Sequence, residues 1–145
     1  MAPPNVAPLR SPRQVAVALG LLVLVALGPF VAEFTAQSAA RYSLSGAIVD
    51  DGTLRLDAYD DILLPSDRAD RDGHVYSDKP PLQPLLGVAP YATARIVGAE
   101  PATHERIFGN LGAWWVTLWT STLPAAVLCG LMYDAARRRS PQTAV

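Results

Sequence analysis

A single lysine, Lys79, stands in the stretch Gly73-His74-Val75-Tyr76-Ser77-Asp78-Lys79-Pro80-Pro81-Leu82, with a carboxylate before it and two prolines after it. Each proline holds φ at about −65°, so the chain leaves the lysine in a fixed direction. A helix that starts at Pro80-Pro81 aims its free backbone N–H groups toward Lys79 and adds to its pull on an anion. An ammonium is a compact point charge, suited to phosphate. The plainer reading of the same residues is a solvated loop lysine paired with Asp78, a common and weak arrangement.

Carboxylates crowd this stretch. Asp67, Asp70, Asp72 and Asp78 raise a divalent metal as a candidate cofactor, but the calcium-loop template fails. With Gly73 in the glycine position, position one is Arg68, and no Glu follows at the required spacing. Such a run reads as a solvated loop. His74 and His104 are the only histidines, and neither belongs to a ligand-spaced cluster or a nucleophile triad. Glycine motifs for phosphate or dinucleotide binding are missing, as is a basic patch for nucleic acid.

Two apolar blocks flank these residues. Val15 to Ala32 is 18 residues without a charge, and Leu111 to Tyr133 is 23. At about 1.5 Å per residue each crosses a hydrocarbon core of about 30 Å. The net charge of −1 conceals a segregation: 7 Lys/Arg against 11 Asp/Glu between Thr35 and Asn110, with Arg10, Arg13, Arg137, Arg138 and Arg139 outside. By the positive-inside rule both termini are cytoplasmic and the loop is extracytoplasmic. Trp114, Trp115 and Trp119 sit near the outer end of the second block, as an aromatic belt does. Cys129, the only cysteine, leaves the redox compartment unread. A cleaved signal peptide ending near Ser38-Ala39-Ala40 is the alternative for the first block, whose apolar run exceeds the roughly 7–15 residues of a signal core.

The expected fold is an all-α membrane protein: two transmembrane helices joined by an extracytoplasmic loop with interfacial helices and little or no strand. Residues 1–13 form a disordered cytoplasmic tail, 14–34 the first span, 35–110 the loop, 111–133 the second span and 134–145 a cytoplasmic tail. Interfacial helices are expected at about 35–49 and 81–97. Asp50-Asp51-Gly52 stops the first of these. Short strands are expected at Thr53–Asp57 and, loosely, His74–Tyr76, with an acidic turn region between them. Pro84 and Pro90 oppose a long regular helix, Gly28-Pro29 kinks the first span, and Pro124 bends the second.

Taken with Arg41-Tyr42, the Lys79 stretch resembles the first extracytoplasmic loop of GT-C type integral-membrane glycosyltransferases. The similarity is to family 39-like enzymes, which include protein mannosyltransferases and the aminoarabinose transferases of lipid A. Those follow their first span with an Arg-Tyr helix, a Gly-x-x-Tyr-x-x-Lys-Pro-Pro-Leu loop and a second span. Ala47 to Leu54 resembles looser bacterial members, and the likeness runs from about Val15 to Arg138. It implies glycosyl transfer from a polyprenyl-phosphate sugar to an acceptor hydroxyl at the outer face of the cell membrane. Lys79 then holds the lipid phosphate, Arg41 supports the loop or the phosphate, Tyr76 belongs to the ligand-binding motif, and Asp78 falls at an acidic metal-ligand position.

Two departures from the family pattern bear on chemistry. Where the family carries an acidic pair just before Arg-Tyr, this chain has Ser38-Ala39-Ala40, which leaves Asp50 and Asp51, or Glu33, as candidate general bases. Enzymes of this fold also use many more spans, so a partner membrane subunit is expected. The rival expectation is a non-catalytic small membrane protein, an assembly factor or lipid-binding subunit.

Overall fold

The computed structural model describes residues 11–30, 35–103 and 110–139. Both tail ends, Glu33, and the segment 104–109 with His104 lie outside the described residues. The described chain is mostly helical, with one short hairpin.

Helix α1, Pro12–Leu27, opens with a capping box between Ser11 and Gln14 and with Pro12 in its first turn. At 16 residues it is about 24 Å long, short of the block expected from the sequence. Gly28-Pro29 ends it rather than kinking it, since Pro29 has no N–H to continue the ladder. The long helix at the other end, Leu111–Arg139, has 29 residues and is apolar and long enough to cross a membrane. It comprises α4, Leu111–Thr117, a π turn, Leu118–Thr122, and α5, Leu123–Arg139. The π turn sits directly before Pro124 and lets Leu123 N–H reach Leu118 O, widening the helix where a proline ring needs room.

Helices α1 and α5 pack antiparallel through matched small residues. A Cβ on Gly20 would lie 3.2 Å from the Ala126 carbonyl oxygen, and one on Gly130 would lie 3.2 Å from that of Ala16. Ala16-x-x-x-Gly20 thus faces Ala126-x-x-x-Gly130, the small-residue spacing by which helices approach closely in lipid. Trp114 Nε1–H donates to Gly28 O at 2.6 Å and ties the far end of the pair. Away from this seam Leu22, Val25, Leu128 and Met132 are exposed.

Between these helices lies a folded unit. Helix α2, Ala36–Gly46, starts at a Thr35–Ser38 capping box and continues into a π turn, Ala47–Asp51, that Gly52 terminates at φ +62°. Ala39 and Ala40 are buried within α2. Helix α3, Leu82–Ile96, is continuous over 15 residues despite its prolines. Pro84 falls in the first turn, where no N–H is needed, and Pro90 removes one ladder bond on the buried side of the helix. Seating α3 on α2 requires Gly87, where a Cβ would come within 2.5 Å of Ser45 Oγ. Ser45 Oγ–H donates across this contact to Pro84 O at 2.8 Å. The core gathers Tyr42, Leu44, Leu56, Tyr59, Ile62 and Tyr91, closed by Ala113 and Val116 of α4.

The strands differ from expectation. Strand β1, Arg68–Arg71, pairs antiparallel with β2, His74–Ser77, around Asp72-Gly73, both at positive φ. That two-residue turn is the primed type that suits a hairpin. Thr53–Asp57 contributes only a bridge between Arg55 and Tyr76. The acidic region expected as turn therefore supplies β1, because Asp-Gly decides the hairpin and the hydrophobic pattern does not.

Candidate functional site

Lys79 sits between the end of β2 and the start of α3, its side chain 17% exposed. Its ammonium contacts Asp67 Oδ1 at 2.7 Å and Asp78 Oδ2 at 2.9 Å. Asp67 is contributed by the turn Pro65–Asp67, which packs against α2, and it is buried, whereas Asp78 is about one-third exposed. Hydrogen bonds to Asp67 first and Asp78 second hold the Lys79 pKa above the ordinary lysine value. Three N–H bonds belong to an ammonium, and these contacts occupy two. The second oxygen of Asp67, Oδ2, is buried without a hydrogen-bond partner. So is Arg41 Nε on α2, while Arg41 Nη2–H reaches Gln37 Oε1 at 3.4 Å.

Sequence reasoning paired Lys79 with Asp78 and missed Asp67, its closer and more deeply buried partner. Tyr76 lies in β2 opposite Ala69, half-buried and bridged to Arg55. For a metal, the donor set does not fit: the Lys79 ammonium already stands between the Asp67 and Asp78 carboxylates. Asp70 and Asp72 pair instead with Arg68 and Arg71. Among the described residues no group of three or more His, Cys, Asp or Glu is placed to hold a metal ion.

A second cluster surrounds Asp50. Tyr91 Oη–H donates to Asp50 Oδ2 at 2.7 Å, Tyr59 Oη–H donates to the same oxygen at 3.2 Å, and Arg95 Nε–H donates to Oδ1 at 3.0 Å. Tyr42 packs edge-on against Tyr91 and accepts a bond from Ala102 N–H at 3.0 Å. Burial pushes the Tyr59 hydroxyl up to about 12 and raises Tyr91 and Tyr42 as well. Asp50 therefore ties the π turn after α2 to α3, and both of its carboxylate oxygens accept from side-chain donors. Asp51 beside it is exposed. The ion partners of Lys79 among the described residues are Asp67 and Asp78, so neither Asp50 nor Asp51 joins the Lys79 cluster. A sequence signal for this network existed in Tyr91 and Arg95, one helical turn apart on α3.

His74 Nδ1 lies 2.8 Å from Asp57 Oδ2, and Asp57 Oδ1 accepts from Val75 N–H at 2.8 Å. Those two bonds, the backbone one first, lower the Asp57 pKa. The pair fastens the hairpin to the preceding turn. Compared with protein-family models, curated proteins and solved structures, the chain matches none of them.

Proposed function

We propose that this chain is a two-span membrane module of a polyprenyl-phosphate-dependent glycosyltransferase, acting with further transmembrane segments. Its folded loop then sits at the outer surface of the cell membrane, with both helix ends at Arg13 and Arg138 in the cytoplasm. Antiparallel packing of α1 on α5, small-residue contacts and apolar outward faces support two spans. The single observation that carries the site is Lys79: a largely buried ammonium held by Asp67 and Asp78, whose two contacts leave its third N–H for a ligand. In this reading the third N–H of Lys79 meets the lipid phosphate, Asp78 is the partner that gives way, and Asp67 keeps the ammonium in place. Cationic contact at the phosphate stabilises the charge that develops on the leaving group.

The test is native mass spectrometry of the full chain in nanodiscs containing undecaprenyl phosphate. Wild type should retain the lipid, and Asp67→Asn/Lys79→Met, which removes both charges together, should lose it while keeping its helical signal. Equal retention in a folded double variant sinks the phosphate grip. Such a result supports the second reading, a non-catalytic membrane protein whose loop is closed by the Lys79 cluster. One observation favours that reading: two carboxylates already neutralise Lys79.

A further inference from the structure

The seam between α1 and α5 does not close along its whole length. Beside the contacts at Gly20 and Gly130 runs an open apolar groove of about 540 Å³, walled by Val17 and Leu21 of α1 and by Val127 and Leu131 of α5. One end is charged: Arg13, Asp134 and Arg138 line it. Arg138 Nη2 contacts Asp134 Oδ2 at 2.7 Å, one turn back on α5, so the end carries one net positive charge. From Arg13 at this end to Leu24 deep in the groove the helix rises about 16 Å, about half of a 30 Å hydrocarbon core and therefore one leaflet.

We propose that this groove holds one anionic glycerophospholipid of the cytoplasmic leaflet, an acyl chain against Val17, Leu21, Val127 and Leu131 and the headgroup phosphate between Arg13 and Arg138. The inference rests on the two-span reading above. Charge complementarity selects the occupant. A neutral chain or a purely apolar helix fills the walls but leaves the one net positive charge at the mouth, that of Arg13 beside the Arg138–Asp134 pair, without an anion, whereas a phosphodiester matches both ends. Guanidinium groups suit phosphate oxygens through paired N–H donors. Their stems reach the headgroup level while the apolar part follows the helices. Arg13 also stands in the first turn of α1, where the helix dipole disfavours a cation and no acidic residue compensates. A phosphate there relieves that mismatch. Asp134 limits the attraction by competing for Arg138.

Native mass spectrometry after partial delipidation tests this, with full-length chain in nanodiscs of mixed phosphatidylglycerol and phosphatidylcholine. Wild type should retain phosphatidylglycerol selectively. Arg13→Gln and Arg138→Gln should each lower that selectivity about fivefold, the effect of one basic side chain near an anionic surface. Asp134→Asn should raise it. Leu131→Trp, which fills the groove, should reduce retention of both lipids. Equal retention of the two lipids by inserted wild type, or unchanged selectivity in Arg13→Gln/Arg138→Gln, overturns the groove site and leaves the two-span reading standing. A chain that does not enter the nanodiscs overturns both.

Discussion

At the scale of single residues, two clusters divide the polar work. Lys79 with Asp67 and Asp78 closes the loop ahead of α3, and Asp50 gathers Tyr59, Tyr91 and Arg95. Tyr91→Phe removes the shorter hydroxyl bond to Asp50 and should cost about 1.5–3 kcal/mol, as for other hydrogen bonds to charged groups. Tyr59→Phe, at the longer distance, should cost less; chemical denaturation of both variants in detergent measures the order. Lys79→Met alone should destabilise more than Asp67→Asn/Lys79→Met, because the single change leaves the buried Asp67 carboxylate without its cation. A pH series carries a definite sign. The Lys79 pKa is raised, so its contribution is fully present below 10.5 and vanishes as pH climbs through the folded value. Tyr59, raised from 10.0 to about 12, adds alkaline loss in the same direction. Asp57 is lowered, so its part holds above 3.8 and is lost as pH falls through its folded value. Melting temperature against pH should therefore stay level through neutrality and fall on the alkaline side together with tyrosinate absorbance. A decline already at neutral pH contradicts this assignment. The sequence made Lys79 and its proline exit legible, and Asp78 as its neighbour. Asp67 was hidden because its approach depends on the hairpin, which returns the chain by 12 residues from Asp67 to Lys79.

At the scale of elements, glycines set how closely helices approach. Gly87→Ala would place a methyl 2.5 Å from Ser45 Oγ, and Gly46→Ala one 2.4 Å from Tyr59 Oη. Each should cost about 1–3 kcal/mol through forced repacking of the α2 contacts, read from denaturation midpoints. Helix α3 turns Pro84, Gly87, Tyr91 and Ala94 inward and leaves Leu82, Leu85 and Leu86 exposed at 70%, 55% and 61%. These leucines form an outward apolar stripe of the kind that lies on a bilayer. Leu85→Glu/Leu86→Glu should preserve the fold and pull α3 away from lipid, seen as lost quenching by lipid-borne nitroxides of a probe on α3. Helix positions were largely readable from the apolar periodicity and the capping residues. The continuity of α3 through Pro90 was not, because one lost ladder bond is outweighed by burial of Tyr91 and its neighbours. Nor was β1: Arg68-Ala69-Asp70-Arg71 carries three charges and no hydrophobic alternation, and only the Asp72-Gly73 turn marked the hairpin.

At the scale of the whole molecule, α1 and the long helix Leu111–Arg139 run antiparallel and bring Arg13 and Arg138 to one end. The two apolar blocks of the sequence supply these helices, of which Leu111–Arg139 alone among the described residues is long and apolar enough to cross a membrane. The seam that holds it escaped notice, because Ala16, Gly20, Ala126 and Gly130 are conspicuous only once the two helices are side by side. Replacing Gly20 by Leu should splay the pair and expose Trp114 to water, shifting its emission to longer wavelength. The proposed function joins this frame to the Lys79 loop through a lipid phosphate at the outer surface. A photoreactive polyprenyl phosphate, its reactive group next to the phosphate, tests that link directly in nanodiscs. Labelling should concentrate on the peptide from Asp67 to Leu82 and be displaced by unlabelled polyprenyl phosphate. Labelling confined to α1 and α5, or unaffected by that competitor, would contradict it.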